Sequence, residues 1–170
     1  LFFFMILSSS LNHNGNSTGA YHFRVHKEKL EESASKELKP FRDYLYKTLK
    51  DCPIEYFIQG PRSSMLRMKI NAKLEEIDHE IRILARIGLE SKYYDNAHMN
   101  VQMFLLGYDT KTVAIEIPLW LLPNEYENFK EVFDSDFPLS GHVDLIRIED
   151  GKIWIWDYKP NAHREKHAST

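Results

Sequence analysis

The chain contains only one cysteine, Cys52, so it cannot form an internal disulfide or build a metal site from several of its own thiolates. A lone thiol is typical of a reducing compartment, and we expect a cytoplasmic protein. Long apolar runs are also missing. Residues 1–7 are apolar, but this run is far shorter than the roughly 20 residues that cross a bilayer, and it lacks a basic flank and a cleavage pattern. We therefore expect no membrane association.

A strong positive charge is absent as well, because the net charge of the 170 residues is −3. This value argues against broad, unspecific binding of nucleic acid, for which a basic domain is expected. Residues 24–50 nevertheless carry eight Lys/Arg against five Asp/Glu, whereas residues 116–157 carry ten acids against three bases. The contrast fits a phosphate-tracking surface beside a cation site, and it fits solvated faces without a partner equally well.

The apolar content of 43% is sufficient for one globular domain, and the length is too short for two. Residues 8–20 are rich in Ser, Asn and Gly and predict a flexible loop. We expect a flexible or truncated N-terminal segment over residues 1–20 and a single domain over residues 21–170 that is cut short at its C-terminal end.

Apolar residues recur at helical spacing in the front half of the chain. The pattern predicts one helical segment over residues 27–50, broken or kinked at Pro40, and a second over residues 61–87 that stops at Gly88. The N-terminal half is therefore predicted to be helical.

The second half has a shorter hydrophobic period. Residues 101–106 and 112–122 are predicted strands around a turn at 107–110, and residues 123–133 predict a short helix or a long connection. Together the two halves predict an α/β fold.

The clearest local signal is Asp150-Gly151, which predicts a two-residue type I′ turn between two β-rich runs. Counting outward from this turn pairs Asp144 with Asp157 and His142 with Lys159. Cross-strand partners have Cβ atoms about 4.5–5.5 Å apart, and residues two apart share a face of the sheet. One face should therefore present all four side chains together. Because both faces also carry apolar residues, we expect the hairpin at the centre of the sheet.

Two carboxylates that face each other on a half-buried sheet repel and are costly to desolvate. The pair is stable if one carboxylate is protonated or if a hard divalent cation, Mg²⁺ or Mn²⁺, lies between them. With the Lys159 ammonium alongside, the set suits metal-assisted hydrolysis of a phosphodiester. The competing interpretation is a structural hairpin in which Lys159 pairs with an edge acid. A register slip of one residue would also turn Asp144 to the other face.

The motif Gly141-His-Val-Asp144, followed after a turn by Trp156-Asp157-Tyr158-Lys159 and Pro160, resembles the PD-(D/E)xK nuclease superfamily. The likeness is to its RecB-like branch, which includes CRISPR-associated exonucleases. Glu116-Ile-Pro-Leu119 resembles the acidic strand that often precedes this hairpin. The resemblance implies a restriction-endonuclease-like core, with a central mixed sheet flanked by helices. It also implies hydrolysis of DNA, as single strands or duplex ends.

The resemblance further implies how Mg²⁺ or Mn²⁺ would be held. The ligands would be Asp144, Asp157, the backbone carbonyl of Tyr158 and a histidine on an upstream helix, for which His79 is the candidate. Lys159 would position or activate the attacking water. From the residues alone, a lone histidine in the middle of a helix is more often structural, and only the resemblance makes a functional role for His79 about equally supported.

Several residues have both a functional and a structural interpretation. Glu116 and His142 are accessory candidates, and Glu116 could equally be a solvent-facing acid. Arg164 and Lys166 could contact phosphates or begin a solvated helix. Cys52-Pro53 resembles a segment of iron–sulfur members of the branch. A cluster would need three further cysteines beyond the chain end, and a plain cysteine is the favoured interpretation.

Other patterns allow different chemistry. His163 and His167 are four residues apart and could form a zinc pair, although no third ligand is evident. Trp154 and Trp156 alternate with Tyr158 and could stack on bases, but core packing is more common. Two rival functions follow: a nucleic-acid-binding or assembly module that retains the fold without turnover, and a metal hydrolase of small phosphate esters.

Overall fold

The computed structural model describes residues 5–12, 20–66 and 75–160. Within these ranges five strands form one sheet in the order β1-β2-β3-β4-β5, and all neighbouring strands are antiparallel. The strands are β1 (Ile6–Asn12), β2 (Ala20–His26), β3 (Thr112–Leu121), β4 (Leu139–Glu149) and β5 (Lys152–Trp156).

The described part of the chain also contains six α-helices, which confirms the α/β class. No helix in the described ranges is long and apolar enough to span a bilayer. The helices are α1 (Lys27–Ser33), α2 (Lys39–Asp51), α3 (Tyr56–Gln59), α4 (Glu80–Ser91), α5 (Ala97–Tyr108) and α6 (Phe129–Phe133).

The β4–β5 hairpin has the predicted turn and register. Asp150 and Gly151 both have positive φ, 51° and 70°, as a type I′ turn requires. The ladder pairs Glu149 with Lys152 and continues to Leu145 with Trp156. The register is therefore confirmed as far as the last pair before Asp144 and Asp157.

The predicted surroundings of the hairpin are wrong in two respects. The sheet is antiparallel rather than mixed, and β5 lies at its edge in the described structure, not at its centre. The side chain of Ile155 is 66% exposed. An apolar pattern on both faces suggested a buried strand, but it cannot report whether a strand has neighbours on both sides.

The N-terminal half is not purely helical. Residues 8–12, expected in a flexible loop, belong to β1, and Ala20 begins β2, while residues 13–19 lie outside the described ranges. The break near Pro40 is confirmed, since α1 ends at Ser33 and α2 carries Pro40 in its first turn. Proline is tolerated there because the first amides of a helix have no intrahelical acceptor.

The helix predicted over residues 61–87 is wrong in its front part. Within the described residues, Ser63–Met65 is a short 3-10 turn, residues 75–79 are irregular, and α4 begins at Glu80. Gly88 does not end α4 but lies inside it. A Cβ atom at Gly88 would lie 2.9 Å from Cβ of Phe104 and 3.1 Å from Cα of Val101, so its lack of a side chain allows α4 and α5 to pack closely.

Gly88→Ala is expected to lower the free energy of unfolding by about 1–2 kcal/mol, because overpacking outweighs the better helix propensity of alanine. Gly107→Ala is the matched control, since Gly107 lies in α5 and its added Cβ would meet no atom within 4 Å. We expect that variant to be neutral or slightly stabilised. Urea unfolding followed by circular dichroism measures both values, and equal stability of the two variants would contradict the close packing.

The strand predicted over residues 101–106 is wrong, because this segment lies in α5. The helix starts at Asn96, whose side chain accepts hydrogen bonds from the amides of His98 and Met99 at 2.8 and 3.3 Å. A short apolar run does not by itself distinguish a buried helix from a strand. Residues 112–122 and 123–133 behave as predicted, as β3 and as a short helix, α6.

Candidate metal centre

Three side chains from different elements converge on one point between α5 and the sheet. His98 lies in the first turn of α5, Glu116 in β3 and Asp144 in β4. His98 Nε2 is 3.1 Å from Asp144 Oδ2 and 3.5 Å from Glu116 Oε1. One ligand atom from each of the three lies within 4.8 Å of the others, and we call this group the histidine–carboxylate cluster. An imidazole and two carboxylates in this arrangement are a donor set for a divalent cation.

An irregularity in β3 coincides with the cluster. Residues two apart on a regular strand share a face. Ile115 nevertheless packs in the apolar cluster beneath α4 and α5, whereas Ile117 packs in the one beneath α1 and α2. Glu116, between them, has φ of 55°, which is unusual for a residue with a side chain and costs of order 1–3 kcal/mol. Such strain is common where a backbone must aim a functional side chain.

The face on which β4 packs also changes, at the position opposite Glu116. Leu145 packs beneath α4 and α5, and Val143 packs in the opposite cluster. Asp144 lies between them and reaches His98 on α5. The paired strands therefore change their packing side where the two carboxylates of the cluster originate.

Gln102 ties the cluster to the helix that carries His98. Its side chain is buried and donates from Nε2 to Glu116 Oε1, and also to the main-chain carbonyl of Asp144 at 3.3 Å. Because Gln102 is four residues after His98, both lie on the same face of α5. Gln102 thus orients Glu116 and leaves its carboxylate close to His98.

The predicted catalytic residues lie beside this cluster. Asp157 lies close enough to Asp144 for that carboxylate to raise its pKa, and Lys159 Nζ is 2.9 Å from Asp157 Oδ1. The backbone amide of Tyr158 donates to Asp144 Oδ2 at 3.2 Å. The structure therefore brings Asp144, Asp157 and Lys159 together, although Asp157 is not part of the histidine–carboxylate cluster found in the described residues. Metal coordination by the Tyr158 carbonyl stays a prediction.

In the cluster, the charged imidazole of His98 balances the carboxylates as a bound cation would. Burial raises the pKa of Asp144, but hydrogen bonds with His98 and Asp157 outweigh it and lower that pKa to about 2. The pKa of Asp157 is raised by burial and by its neighbour Asp144. Hydrogen bonds to Asp144 and Glu116 raise the pKa of His98 to about 9. In this geometry an imidazolium therefore neutralises the carboxylates, and a metal ion would compete with its proton.

His79, the predicted histidine ligand, lies elsewhere. It caps α4, with Nδ1 accepting the amide of Ile81 at 3.2 Å and Nε2 3.5 Å from Glu149 Oε2. Its ring also packs on that of Trp156, with centroids 4.9 Å apart, and it is not part of the histidine–carboxylate cluster found in the described residues. The structure therefore does not place His79 with Asp144 in one set of ligands. The histidine beside Asp144 is His98. It was missed from the sequence because residues 101–106 suggested a strand. Asn96, a residue typical of helix N-caps, was the signal that could have placed His98 on a helix.

His142 is not in the cluster either. Its ring stacks on that of Tyr21, with centroids 4.1 Å apart, and lies 5.6 Å from the ring of Phe57. Trp156 and Tyr158 pack against the apolar cluster beneath α4 and α5, as the core interpretation predicts, while Trp154 is 44% exposed.

Cys52 has the environment of a structural thiol. It caps the C-terminal end of α2, packs against the apolar cluster beneath α1 and α2, and has a pKa raised to about 11 by burial and by Glu55. This supports the plain interpretation, because a metal-binding thiolate needs a lowered pKa. The predictions for His163, Arg164, Lys166 and His167 lie outside the described residues.

Comparison with known proteins found no match for this chain. No protein-family model matches the chain, and no curated protein or solved structure matches it significantly. The geometry of these residues and the motif resemblance are therefore the observations that bear on function.

Proposed function

We propose that the chain carries the metal centre of a divalent-cation-dependent nuclease that hydrolyses DNA phosphodiester bonds. The observation that supports this most directly is the convergence of His98, Glu116 and Asp144, with the Asp157–Lys159 pair beside them. The same hairpin carries the motif that resembles RecB-like nucleases. A restriction-endonuclease-like core is part of the proposal.

The donor set fits Mn²⁺ or Mg²⁺, since carboxylate oxygens suit both ions and the imidazole favours Mn²⁺. His98, Glu116 and Asp144 would hold the ion, with Asp157 as a further candidate through its contact with Asp144. When bound, a divalent cation polarises a phosphoryl oxygen and acidifies a water. His98 must lose its proton to become a ligand.

Lys159 is suited to hold the attacking water or the phosphate. Its ammonium group is partly exposed and is fixed at 2.9 Å from Asp157 Oδ1. Asp157 in turn contacts Asp144, so the ammonium lies one side chain away from the proposed ion. A positive charge beside the reacting phosphate stabilises the charge that develops on its oxygens.

A cavity beside the Asp157–Lys159 pair brings two further cations close to the site. A cavity of about 380 Å³ is bounded by Asp157 and Lys159 on one side and by α4 on the other. Arg82 and Arg86, one helical turn apart on α4, line it together with Lys159. Most of the lining is apolar, Arg82 is paired with Asp78 at 3.4 Å, and Lys159 is paired with Asp157. The cations supply positive charge for phosphate groups at the edge of this cavity.

The rival function, a binding or assembly module without turnover, is favoured by one observation. Protonated His98 can satisfy Asp144 and Glu116 without any metal ion.

Cleavage of end-labelled single-stranded and duplex DNA in Mg²⁺, in Mn²⁺ and in EDTA tests the proposal. We expect metal-dependent cleavage that Asp157→Asn and Lys159→Gln each reduce about a hundredfold or more, since either loss affects charge stabilisation at the reacting phosphate. Asp51→Asn and Lys50→Gln, at the end of α2, are matched controls and should retain full activity.

Each contrary result would refute the metal-dependent mechanism or support one of the two rival functions. Cleavage that persists in EDTA, or that is unchanged in Asp157→Asn, would refute the metal-dependent mechanism. Binding of DNA without cleavage under every metal condition would leave the module as the function. Hydrolysis of a small chromogenic phosphodiester that excess DNA fails to inhibit would point to a phosphate-ester hydrolase instead.

A further inference from the structure

Tyr21 lies close to the histidine–carboxylate cluster although it belongs to a different strand, β2. Its ring is stacked on His142 with an interplanar angle of 15°. His142 pairs with Pro118 across β3 and β4, two residues from Asp144 and from Glu116. The stack therefore fixes the Tyr21 ring on the sheet next to the proposed metal centre, with 36% of the residue exposed.

The Tyr21 hydroxyl lies within electrostatic reach of both carboxylates of the cluster and of two cations. Burial raises the pKa of Tyr21, the charges of Glu116 and Asp144 raise it further, and those of Arg62 and Lys159 lower it. The net effect is a raised pKa, so the phenol keeps its proton at neutral pH. A protonated phenol can donate a hydrogen bond to a phosphate oxygen.

Arg62 is held against the same part of β4. Arg62 and Ser140 form a β-bridge, and the amide of Ser140 donates to the Pro61 carbonyl at 3.0 Å. The next residue, Ser63, lies so close to Gly141 that a Cβ there would be 2.3 Å from Ser63 Oγ. This backbone packing fixes the Arg62 backbone beside Ser140, which lies four residues before Asp144 in β4.

The Arg62 side chain is exposed and available to a ligand. Within the described part of the chain, no carboxylate forms an ion pair with it. A guanidinium group binds phosphate through two parallel hydrogen bonds and is always charged. Among the cations near the cluster, Lys159 is paired with Asp157, whereas Arg62 shows no such pairing in the described ranges.

We propose that Arg62 and Tyr21 bind a phosphate of the nucleic acid adjacent to the one that is hydrolysed. Arg62 supplies the charge and a bidentate contact, and Tyr21 supplies a hydroxyl donor that the His142 stack holds in place. The inference rests on the proposed nuclease function and specifies its substrate: a chain with at least two phosphates rather than a mononucleotide ester. Neither residue is a metal ligand.

The test measures binding of a labelled single-stranded oligonucleotide by fluorescence anisotropy in Ca²⁺ over a series of salt concentrations. Arg62→Gln is expected to weaken binding about tenfold, the order of one lost charge-assisted contact, and to reduce the slope of log affinity against log salt by about one. Arg62→Lys should retain the slope and lose part of the affinity. Tyr21→Phe should weaken binding by a smaller factor at an unchanged slope, because no charge is removed.

Arg42→Gln, on the surface of α2, is the matched control and should bind as the wild type does. Mn²⁺ affinity, measured by titration calorimetry, should be unchanged in all these variants. Wild-type binding and salt slope in Arg62→Gln would overturn the inference, as would loss of Mn²⁺ binding in both Arg62→Gln and Tyr21→Phe, which would indicate a structural role.

The same set of variants distinguishes a failure of this inference from a failure of the proposed function. If the wild type cleaves DNA and Arg62→Gln binds DNA normally, only the phosphate site is wrong. If the wild type does not cleave DNA but Arg62→Gln loses affinity and salt slope, the phosphate site stands and the nuclease function fails.

Discussion

Asp144→Asn is expected to remove measurable Mn²⁺ binding and, with it, DNA cleavage. Asp144 is the residue on which the site converges: it accepts from His98 at 3.1 Å and from the Tyr158 amide at 3.2 Å, and it contacts Asp157. Loss of an outer-shell partner costs about 10–100-fold in metal affinity, so loss of a carboxylate ligand should cost at least a hundredfold. Asparagine keeps the size of the side chain and one acceptor oxygen but removes its charge.

Titration calorimetry with Mn²⁺ measures the effect, together with the cleavage assay. His98→Ala should also weaken Mn²⁺ binding by at least about tenfold, while His79→Ala should leave it unchanged because His79 pairs with Glu149 and is not part of the histidine–carboxylate cluster. The opposite order, with His79→Ala the damaging variant, would contradict the assignment of the ligands. Asp51→Asn controls for the loss of one acidic charge.

Arg147→Met is expected to lower the free energy of unfolding by about 3–5 kcal/mol, the cost of breaking a buried ion pair by removing one partner. The Arg147 side chain is 0% exposed, and its guanidinium bonds to Asp109 at 2.9 and 3.3 Å and to Glu80 at 2.9 Å. Without it, the buried carboxylate of Asp109 retains Thr112 Oγ1 and the Lys111 amide as partners but loses its counter-charge.

Urea unfolding of four variants measures this effect: Arg147→Met, Asp109→Asn, their combination, and Arg42→Met. Arg42→Met breaks a partly exposed pair with Glu31 and should cost no more than about 1 kcal/mol. Asp109→Asn combined with Arg147→Met should cost less than the sum of the two single changes, since the second removes a charge that is already unpaired. A loss in Arg147→Met as small as that in Arg42→Met would show that the buried network does not stabilise the fold.

The hairpin could be predicted from sequence because its signals are local. Asp150 and Gly151 determine the turn type, the turn determines the register, and the register brings Asp144 towards Asp157. Each step depends only on backbone geometry within a few residues. The contact between the two carboxylates, and the position of Lys159 beside them, follow from that geometry.

The histidine of the site could not be assigned in the same way. His98 reaches Asp144 through helix packing between residues 46 positions apart, and the apolar residues that bury α5 also fit a strand. Asn96 was a usable capping signal, but His79 had the more obvious motif context. The change of packing side at Glu116 depends on tertiary contacts on both faces of β3, which no periodicity reports.

The position of the sheet edge could not be predicted from the sequence either. β5 has the apolar content of a buried strand, and only the pairing of β1 and β2 onto β3 shows that the sheet extends to the other side. The same strands explain why Tyr21 was overlooked. Residues 8–20 suggested a loop, so the strand that follows them was not considered as part of the site.

The proposed function depends most directly on where a metal ion binds, and anomalous diffraction from crystals soaked in Mn²⁺ measures this. The expected result is a single strong peak bounded by His98 Nε2 and the carboxylates of Glu116 and Asp144, which disappears in Asp144→Asn. A wild-type crystal with no peak at these three residues, or with its peak at His79 and Glu149 instead, would contradict the proposed centre.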